Sequence, residues 1–318
     1  MAAHLRTKHP NLLKVRSATA TRATAPGGAT HFQHGPIDCI VDVRGDCSVV
    51  TPAIEQAWER FSACLDELMS DVPLLSANLS SDVAAVCLGP VGECPIARRM
   101  FSACLPHATH GRFITAMAAV AGSVAEELIA FFDRPGITRA WVNNGGDIAL
   151  YLAPGSSVTI GTVADLSLAY AGHAPPGRFT IDASSPVRGV ATSGWRGRSF
   201  SLGIADAATV LARTASVADA AATVIGNAVD VDAPGIVRRP ANDIRDDSDL
   251  GSIPVTVTVP TLSRREVEWA LDAGARQAEH EIAAGRIVAA ILQLQGRVRV
   301  CGTIAVSHPA LAAPVEAR

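Results

Sequence analysis

The chain has 318 residues, 48% of them hydrophobic and 18% charged, enough to bury a large core as one domain or two closely joined lobes. A net charge of −3 and a pI near 6.3 leave no basic excess to release counterions from a phosphate backbone, which argues against nucleic acid as a partner. The longest run of small and apolar residues, Ala116 to Ala125, ends at Glu126 and Glu127, well short of the roughly 20 residues that span a bilayer, so no membrane partner is expected.

In chain order, the first 35 residues mix basic and small side chains without the apolar stretch of a secretory signal. They read as a flexible N-terminal tail with a cytoplasmic address, and His4, His9, His31 and His34 fall within it. Ile54, Ala57, Trp58, Phe61, Leu65 and Leu68 recur at helical spacing, predicting an amphipathic helix over Ile54 to Met69 that Pro73 stops. A second, apolar helix is predicted from about Phe113 to Phe132. Its alanines, Gly122 and Ser123 let another backbone approach closely, which suits a homodimer interface as well as an intrachain core. His107 and His110 flank its start, where surface or capping roles compete with lining a pocket. Arg134 to Gly136 turn the chain into Ala140 to Leu152, strand-like flanks around Asn143-Asn144-Gly145-Gly146-Asp147.

Ser157 to Val163, Arg178 to Asp182 and Gly189 to Thr192 read as consecutive strands of an antiparallel sheet, Ile204 to Ala212 as another strand, and Val217 to Val229 as a tightly packed helix. Asp230 to Gly251 reads as a polar, acidic loop, and Ile253 to Pro260 alternates with period two as a strand does. Ser263 to Glu266 has the capping-box pattern, after which Val267, Leu271, Ala275, Ala278 and Ile282 continue one helical face. This irregular alternation gives an α+β class, a mainly antiparallel sheet packed with helices in two tightly joined lobes. The expected domain covers 36–305, with a C-terminal tail over 306–318. Seven cysteines, an odd number with no C-x-x-C pair, argue against a disulfide framework and a zinc ribbon, and for buried thiols acting as small hydrophobes.

Within the predicted helix Val217 to Val229, Asp219 and Thr223 stand at i and i+4 on one face. A carboxylate and a hydroxyl oxygen one turn apart can share a small divalent cation. The same pair also suits an aspartate favouring the helix dipole beside a threonine bonded back to the backbone. Asn144, Gly145, Gly146 and Asp147 put amide, carboxylate and backbone N–H groups on a glycine turn, either a ligand contact or an ordinary β-turn. Thr192, Ser193, Gly194, Arg196, Arg198 and Ser199 crowd hydroxyls, freed backbone amides and two forked donors into eight residues. Such a loop suits a phosphate, although the P-loop spacing is missing. Asp243, Asp246, Asp247 and Asp249 read as a solvated acidic loop.

The order of these pieces, ITAMAAVAGSVAEELI, WVNNGGDIALYL, TSGWRGRSFSLGIADAATVLA, ADAAATVIGNAV and RRPANDIRDDSDLG, closely resembles the UPF0280 family, a branch of the ApbE-like superfamily, over roughly Ile37 to Gly302. The resemblance implies an ApbE-like fold and kinship with FAD:protein FMN transfer, in which a magnesium-dependent enzyme splits the FAD pyrophosphate and attaches FMN to a threonine of a target protein. It matches Asp219 and Thr223 to the metal-binding Asp and Thr, and implies a third ligand, a backbone carbonyl, within Thr115 to Ala119. One departure stands out: where the transferases carry G-G-x-A-K-G-Y-A, this chain has ITAMAAVAGSVAEE, with no lysine and no aromatic residue.

The function so implied is that of a Mg2+-dependent cytoplasmic enzyme acting on or binding a flavin (FAD or FMN) or a similar heteroaromatic, phosphate-bearing ligand. Ser193, Gly194 and Arg196 or Arg198 would grip a phosphate or carboxylate, and Asn144 to Asp147 would orient the ring or ribose. The alternatives are a pterin-related role in methanopterin-dependent one-carbon metabolism, and a non-catalytic ligand-binding protein that kept the fold. No catalytic residue is singled out.

Overall fold

The structure, a computed structural model, describes residues 19–79, 94–108, 112–162, 177–246, 248–304 and 306–307. In chain order its strands and long helices are β1 (Thr21–Thr24), β2 (Thr30–His34), β3 (Ile37–Gly45), α1 (Cys47–Leu75), α2 (Pro95–Cys104), α3 (Val120–Ile129), β4 (Ile137–Asn144) and β5 (Asp147–Leu152). There follow β6 (Ser157–Thr162), β7 (Gly177–Asp182), β8 (Gly189–Ser193), β9 (Ala207–Ala212) and α4 (Ala215–Ala228). The last are β10 (Val237–Pro240), β11 (Pro254–Thr258), α5 (Arg264–Ala283), β12 (Ile287–Leu294), β13 (Arg297–Gly302) and β14 (Val306–Ser307). Nine strands make one antiparallel sheet in the order β1-β2-β3-β4-β5-β8-β9-β12-β13, and β14-β7-β6 and β10-β11 make two small ones. The α+β class follows directly.

Period-two alternation divides the large sheet into two faces. One face carries the helices and holds two adjoining cores. Phe32, Val41, Ala140, Val142 and Ala149 pack with Phe61, Met100, Phe101, Val124 and Leu128 of α1, α2 and α3. Beside them, Ala191, Ala208, Val210, Ala290 and Leu292 pack with Ile225, Leu271 and Ala278 of α4 and α5. The two lobes are thus halves of one sheet, and α4 straddles them: Ala215, Ala220 and Val224 belong to the first core, Ala218, Ala221 and Ile225 to the second. The opposite face packs Leu150, Val190, Leu211 and Ile291 against Phe179 and Ile181 of the small sheet.

Several boundaries differ from the sequence reading. The described part of the expected N-terminal tail, residues 19–35, includes β1 and β2, and Phe32 is fully buried with its ring centroid 5.2 Å from those of Trp58 and Phe61. Its burial depends on α1, which lies far along the chain. At the other end, Val306 and Ser307 pair with β7 instead of joining the tail. α1 overruns its predicted limits at both ends, with Pro73 inside its last turn. The acidic segment Asp230 to Gly251 contains β10, paired to β11. The capping box of α5 forms as expected, with Ser263 N–H donating to Glu266 Oε2 at 2.7 Å and Glu266 N–H to Ser263 Oγ at 3.3 Å. The predicted helix Phe113 to Phe132 is broken, because Ala119 at φ −128°, ψ 17° separates a 3-10 turn over Ala116–Ala119 from α3.

His107 has neither the surface nor the capping role expected of it. It is buried with Glu281, Nδ1 to Oε1 3.4 Å, while Arg286 pairs with the other carboxylate oxygen and Gln277 Nε2 donates to Oε1 at 2.7 Å. Burial alone would raise the Glu281 pKa, but hydrogen bonds and charge from His107 and Arg286 outweigh it and hold it at about 2. A depressed carboxylate stabilises the fold above its ordinary value, near 4.5, and that contribution is lost as pH falls towards 2. Glu281→Gln should therefore lower stability at pH 7 by about 1.5–3 kcal/mol and flatten its dependence between pH 5 and 2, as read by urea unfolding across that range. An unchanged acid limb would refute the assignment.

Candidate functional site

Where the two halves of the sheet meet, β5 and β8 pair through only two residue pairs, Ile148 with Val190 and Ala149 with Gly189. Past Ile148 and Val190, towards the Gly145 turn, no further residue pair forms between them. Instead, the Asp147 carboxylate accepts the Thr192 N–H at 3.2 Å. Alternation turns Asn144, Asp147 and Ser193 to the helix face, beneath α4.

The first turn of α4 is built for close approach. Thr214 caps it, its Oγ1 accepting the Val217 N–H at 3.4 Å. Glu126 of α3 accepts both the N–H and the Oγ–H of Ser216 at 3.1 and 2.7 Å. In the opposite sense, Asp219 Oδ2 accepts the Gly122 N–H in the first turn of α3 at 2.8 Å. Each helix thus supplies an acceptor to the free N–H groups of the other. Such closeness requires glycine at 122, where a Cβ would lie 2.3 Å from the Ala215 carbonyl oxygen. An unbroken helix would aim the Gly122 N–H at the Ala118 carbonyl; its capture by Asp219 accompanies the break at Ala119.

Asp219 and Asp147 form the electrostatic centre. Burial, then the neighbouring Asp147 charge, push Asp219 well above the carboxylate range against the N–H donors of Gly122 and Ala121. Burial pushes Asp147 up to about 7 despite the Thr192 N–H. Both residues keep intermediate exposure, so the pair is recessed and open to a ligand. Among the described residues the hydrogen bonds to these carboxylates come from backbone N–H groups. Two crowded carboxyl groups without a basic partner among the described residues suit a hard divalent cation, which would displace their protons. Thr223 follows Asp219 by one turn, and Gly226 faces Ser193, whose Oγ lies 3.6 Å from where a Cβ would stand on Gly226. Residues 219, 223 and 226 share one face of α4.

The remaining sequence candidates separate. Asn144 is buried and fully engaged: Nδ2 donates to the Ala121 carbonyl at 3.2 Å and Oδ1 accepts the Asp38 N–H at 3.3 Å. It positions the first turn of α3 beside Asp219. Gly145 and Gly146 adopt φ of 67° and 117°, and the Gly146 N–H bonds Asn143 Oδ1 at 2.8 Å. Over this turn lies Arg198, exposed, its Nη1 3.0 Å from where a Cβ on Gly145 would stand. Arg196 is occupied: its Nε donates to Asp206 at 3.0 Å and its guanidinium stacks on Trp195. Thr192 shares a hydroxyl contact of 2.9 Å with Thr209. Gly194 lets the loop meet the Asp206 carbonyl, 2.5 Å from where a Cβ would stand, and Ser199 is exposed.

Of the acidic segment, Asp249 accepts the Thr115 hydroxyl at 2.9 Å, Asp243 and Asp246 are exposed, and Asp247 lies outside the described residues, as do His110 and Cys87. No group of three or more His, Cys, Asp or Glu side chains able to hold a metal occurs among the described residues. The reading of single residues missed the N–H groups of Ala121 and Gly122 as partners of Asp219; the small residues at 122 and 123 marked a close approach without naming what approaches.

The AbpE bacteria family model matches residues 21–300. The chain is 38% identical over 143 residues to a UPF0280 protein of Methanothrix thermoacetophila, covering 44% of this chain and 54% of that one. It is 40% identical over 113 residues to a UPF0280 protein of Archaeoglobus fulgidus, covering 36% and 43%. The matched stretch therefore spans about half the length of these curated relatives. Among solved structures, the ApbE protein of Thermotoga maritima aligns with 91% of this chain and 97% of its own at a TM-score of 0.42 and 12% identity. The flavinyl transferase ApbE of Pseudomonas stutzeri aligns with 92% and 96% at a TM-score of 0.38 and 12% identity. The family match runs from β1 to β13 and so takes in the large sheet, both helix-face cores and the Asp147–Asp219 recess: the chain belongs to the AbpE bacteria family and is a relative of the UPF0280 proteins.

Proposed function

We propose that the chain binds a phosphate-bearing heteroaromatic ligand of flavin type together with Mg2+, and hydrolyses its pyrophosphate linkage, water adding to one phosphorus while the other phosphate leaves, so that FAD gives FMN and AMP. The observation that carries this reading is the recessed Asp147–Asp219 pair, bonded among the described residues by backbone N–H groups and bordered by Arg198 on the Gly145 turn. Asp219 and Thr223 would hold the cation, with Asp147 facing them and the Ala118 carbonyl as the third donor suggested by the redirected Gly122 N–H. Bound there, Mg2+ supplies positive charge that neutralises a phosphate and polarises its scissile bond. Arg198 grips the phosphate by charge-assisted hydrogen bonds, Asn144 holds α3 against Asp219, and Ser193 lines the far end of the α4 face. The six free thiols among the described residues, five of them buried, favour a reducing, cytoplasmic setting.

Incubation of the purified protein with FAD, with and without Mg2+, tests the reading by mass spectrometry of released AMP and retained flavin. Magnesium-dependent AMP is the expected result. Retained flavin without AMP would leave a binding protein, and neither signal would overturn the proposal. The two arginines provide a contrast. Arg198→Ala should weaken Mg2+-dependent pyrophosphate binding about tenfold or more, roughly 1.4 kcal/mol, with stability unchanged. Arg196→Ala should leave that affinity alone and lower the melting temperature, since it strips Asp206 of its ion pair. Calorimetry and thermal melts read both, and equal affinities for the two variants would remove Arg198 from the site.

A further inference from the structure

The face of the large sheet turned away from Asp219 carries a polar row. Alternation places Thr192, Thr209 and Gln293 on the same side as Val190, Leu211 and Ile291, towards the small sheet. Thr192 and Thr209 are direct cross-strand partners with hydroxyls 2.9 Å apart. Gln293 stands opposite Ala207, two residues along β9 from Thr209. Thr192 is exposed, whereas Thr209 and Gln293 each retain 4% exposure. The row runs from solvent into the interior.

Neither Oε1 nor Nε2 of Gln293 has a hydrogen-bond partner among the described residues. A buried amide with both ends unpaired is strongly unfavourable, since desolvation is then uncompensated, and native interiors hold few such groups. A leucine or methionine would fill the position beside Ile291 without that penalty. A glutamine there is explained by something that completes it.

We infer that Gln293, with Thr209 and Thr192, recognises the edge of a planar ring that carries a carbonyl and an N–H side by side, as a lactam or nucleobase does. The primary amide presents an acceptor and a donor in one plane, and such an edge satisfies both with two parallel bonds. The threonine pair adds a hydroxyl couple in which either oxygen can donate, so it adapts to a donor or an acceptor beside that edge. On this face Gln293 stands between Ala207 of β9 and Val298 of β13 and next to Ile291 on its own strand, hydrocarbons that offer its amide no partner.

The row also connects to the recess described above. The Thr192 backbone N–H holds Asp147, and the Asp206 N–H donates to the Gln293 carbonyl at 2.9 Å while the Asp206 side chain holds Trp195 and Arg196. The row and the Asp147–Asp219 recess lie on opposite faces of the sheet, so the inference names a ring site of its own beside the proposed function and does not rest on that reading.

Gln293→Leu supplies the test, with Gln293→Met as a second variant should leucine fail to fold. The ligand-free variant should melt higher than the wild type, because an orphaned amide has been removed. Lumazine, a ring with this edge and no phosphate, should bind the wild type and bind the variant at least tenfold more weakly, while Mg2+-dependent pyrophosphate binding stays equal in both. A variant that melts at or below the wild-type temperature would show that water or the chain itself satisfies the amide, and would overturn the inference. Failure of lumazine to bind the wild type, or equal binding to both proteins, would overturn it too. In that case pyrophosphate binding reports separately on the recess: its presence leaves the proposed function standing, and its loss beside intact lumazine binding would sink that reading alone.

Discussion

Asp219→Asn and Asp147→Asn are each expected to lower Mg2+ affinity at least tenfold, about 1.4 kcal/mol or more, while the metal-free protein becomes no less stable at pH 8. Asparagine keeps the size of the side chain and an oxygen able to accept the Gly122 or Thr192 N–H, but it lacks the anionic oxygen a hard cation requires. The sign of the pH effect follows from raised carboxylate pKa values. Between the ordinary aspartate value of 3.8 and about 7, where burial places Asp147, the folded state binds more protons than the unfolded one. In the metal-free protein this contribution to stability is therefore full below pH 4 and lost as pH rises towards 7. Mg2+ competes with those protons, so the rise in melting temperature on adding it should grow from pH 5.5 to pH 8 in the wild type and be small in both variants. Calorimetry and thermal melts with EDTA or Mg2+ measure both effects. Wild-type affinity in the two variants would return Asp219 to the plain task of capping α3.

The second large effect is expected from Gly122→Ala. The added Cβ would lie 2.3 Å from the Ala215 carbonyl oxygen, 2.7 Å from its carbon and 2.9 Å from Asp219 Cβ. Two of these are backbone atoms that cannot rotate away, so α3 and α4 must separate. Overpacking of this kind costs about 1–3 kcal/mol, and the Asp219–Gly122 hydrogen bond is lost with it. Urea unfolding should show the destabilisation, and Mg2+ affinity should fall although no metal-binding side chain has changed. Gly146→Ala is the control: its Cβ meets nothing within 4 Å, and the φ of 117° strains the turn without moving α4. Equal stability of Gly122→Ala and the wild type would mean that the two helices are free to adjust.

Local patterns in the sequence were enough for much of this structure. The i, i+4 spacing of Asp219 and Thr223 assigns both to one face of α4, the Asn-Asn-Gly-Gly-Asp run makes a tight turn between β4 and β5, and Ser263 with Glu266 closes a capping box. All three depend on contacts between residues a few positions apart, for which the backbone period supplies the geometry. β1 and β2 were illegible for the opposite reason. Their residues look like a polar tail until α1 offers Trp58 and Phe61 to cover Phe32, and burial by a distant helix leaves no periodic trace within a five-residue strand.

Residue types determined the α+β class, the kinds of side chain able to hold a cation or a phosphate, and the close approach signalled by Gly122. Only the tertiary structure decided their partners. It put Asp147 beside Asp219, committed Asn144 to Ala121 and Asp38, committed Arg196 to Asp206 and left Arg198 over Gly145. The division has a physical cause: a charge acquires its pKa, and an amide its role, from desolvation and from neighbours within a few ångströms. Those neighbours were brought there by the short β5–β8 pairing and the crossing of α3 and α4, which join residues as far apart as 122 and 219.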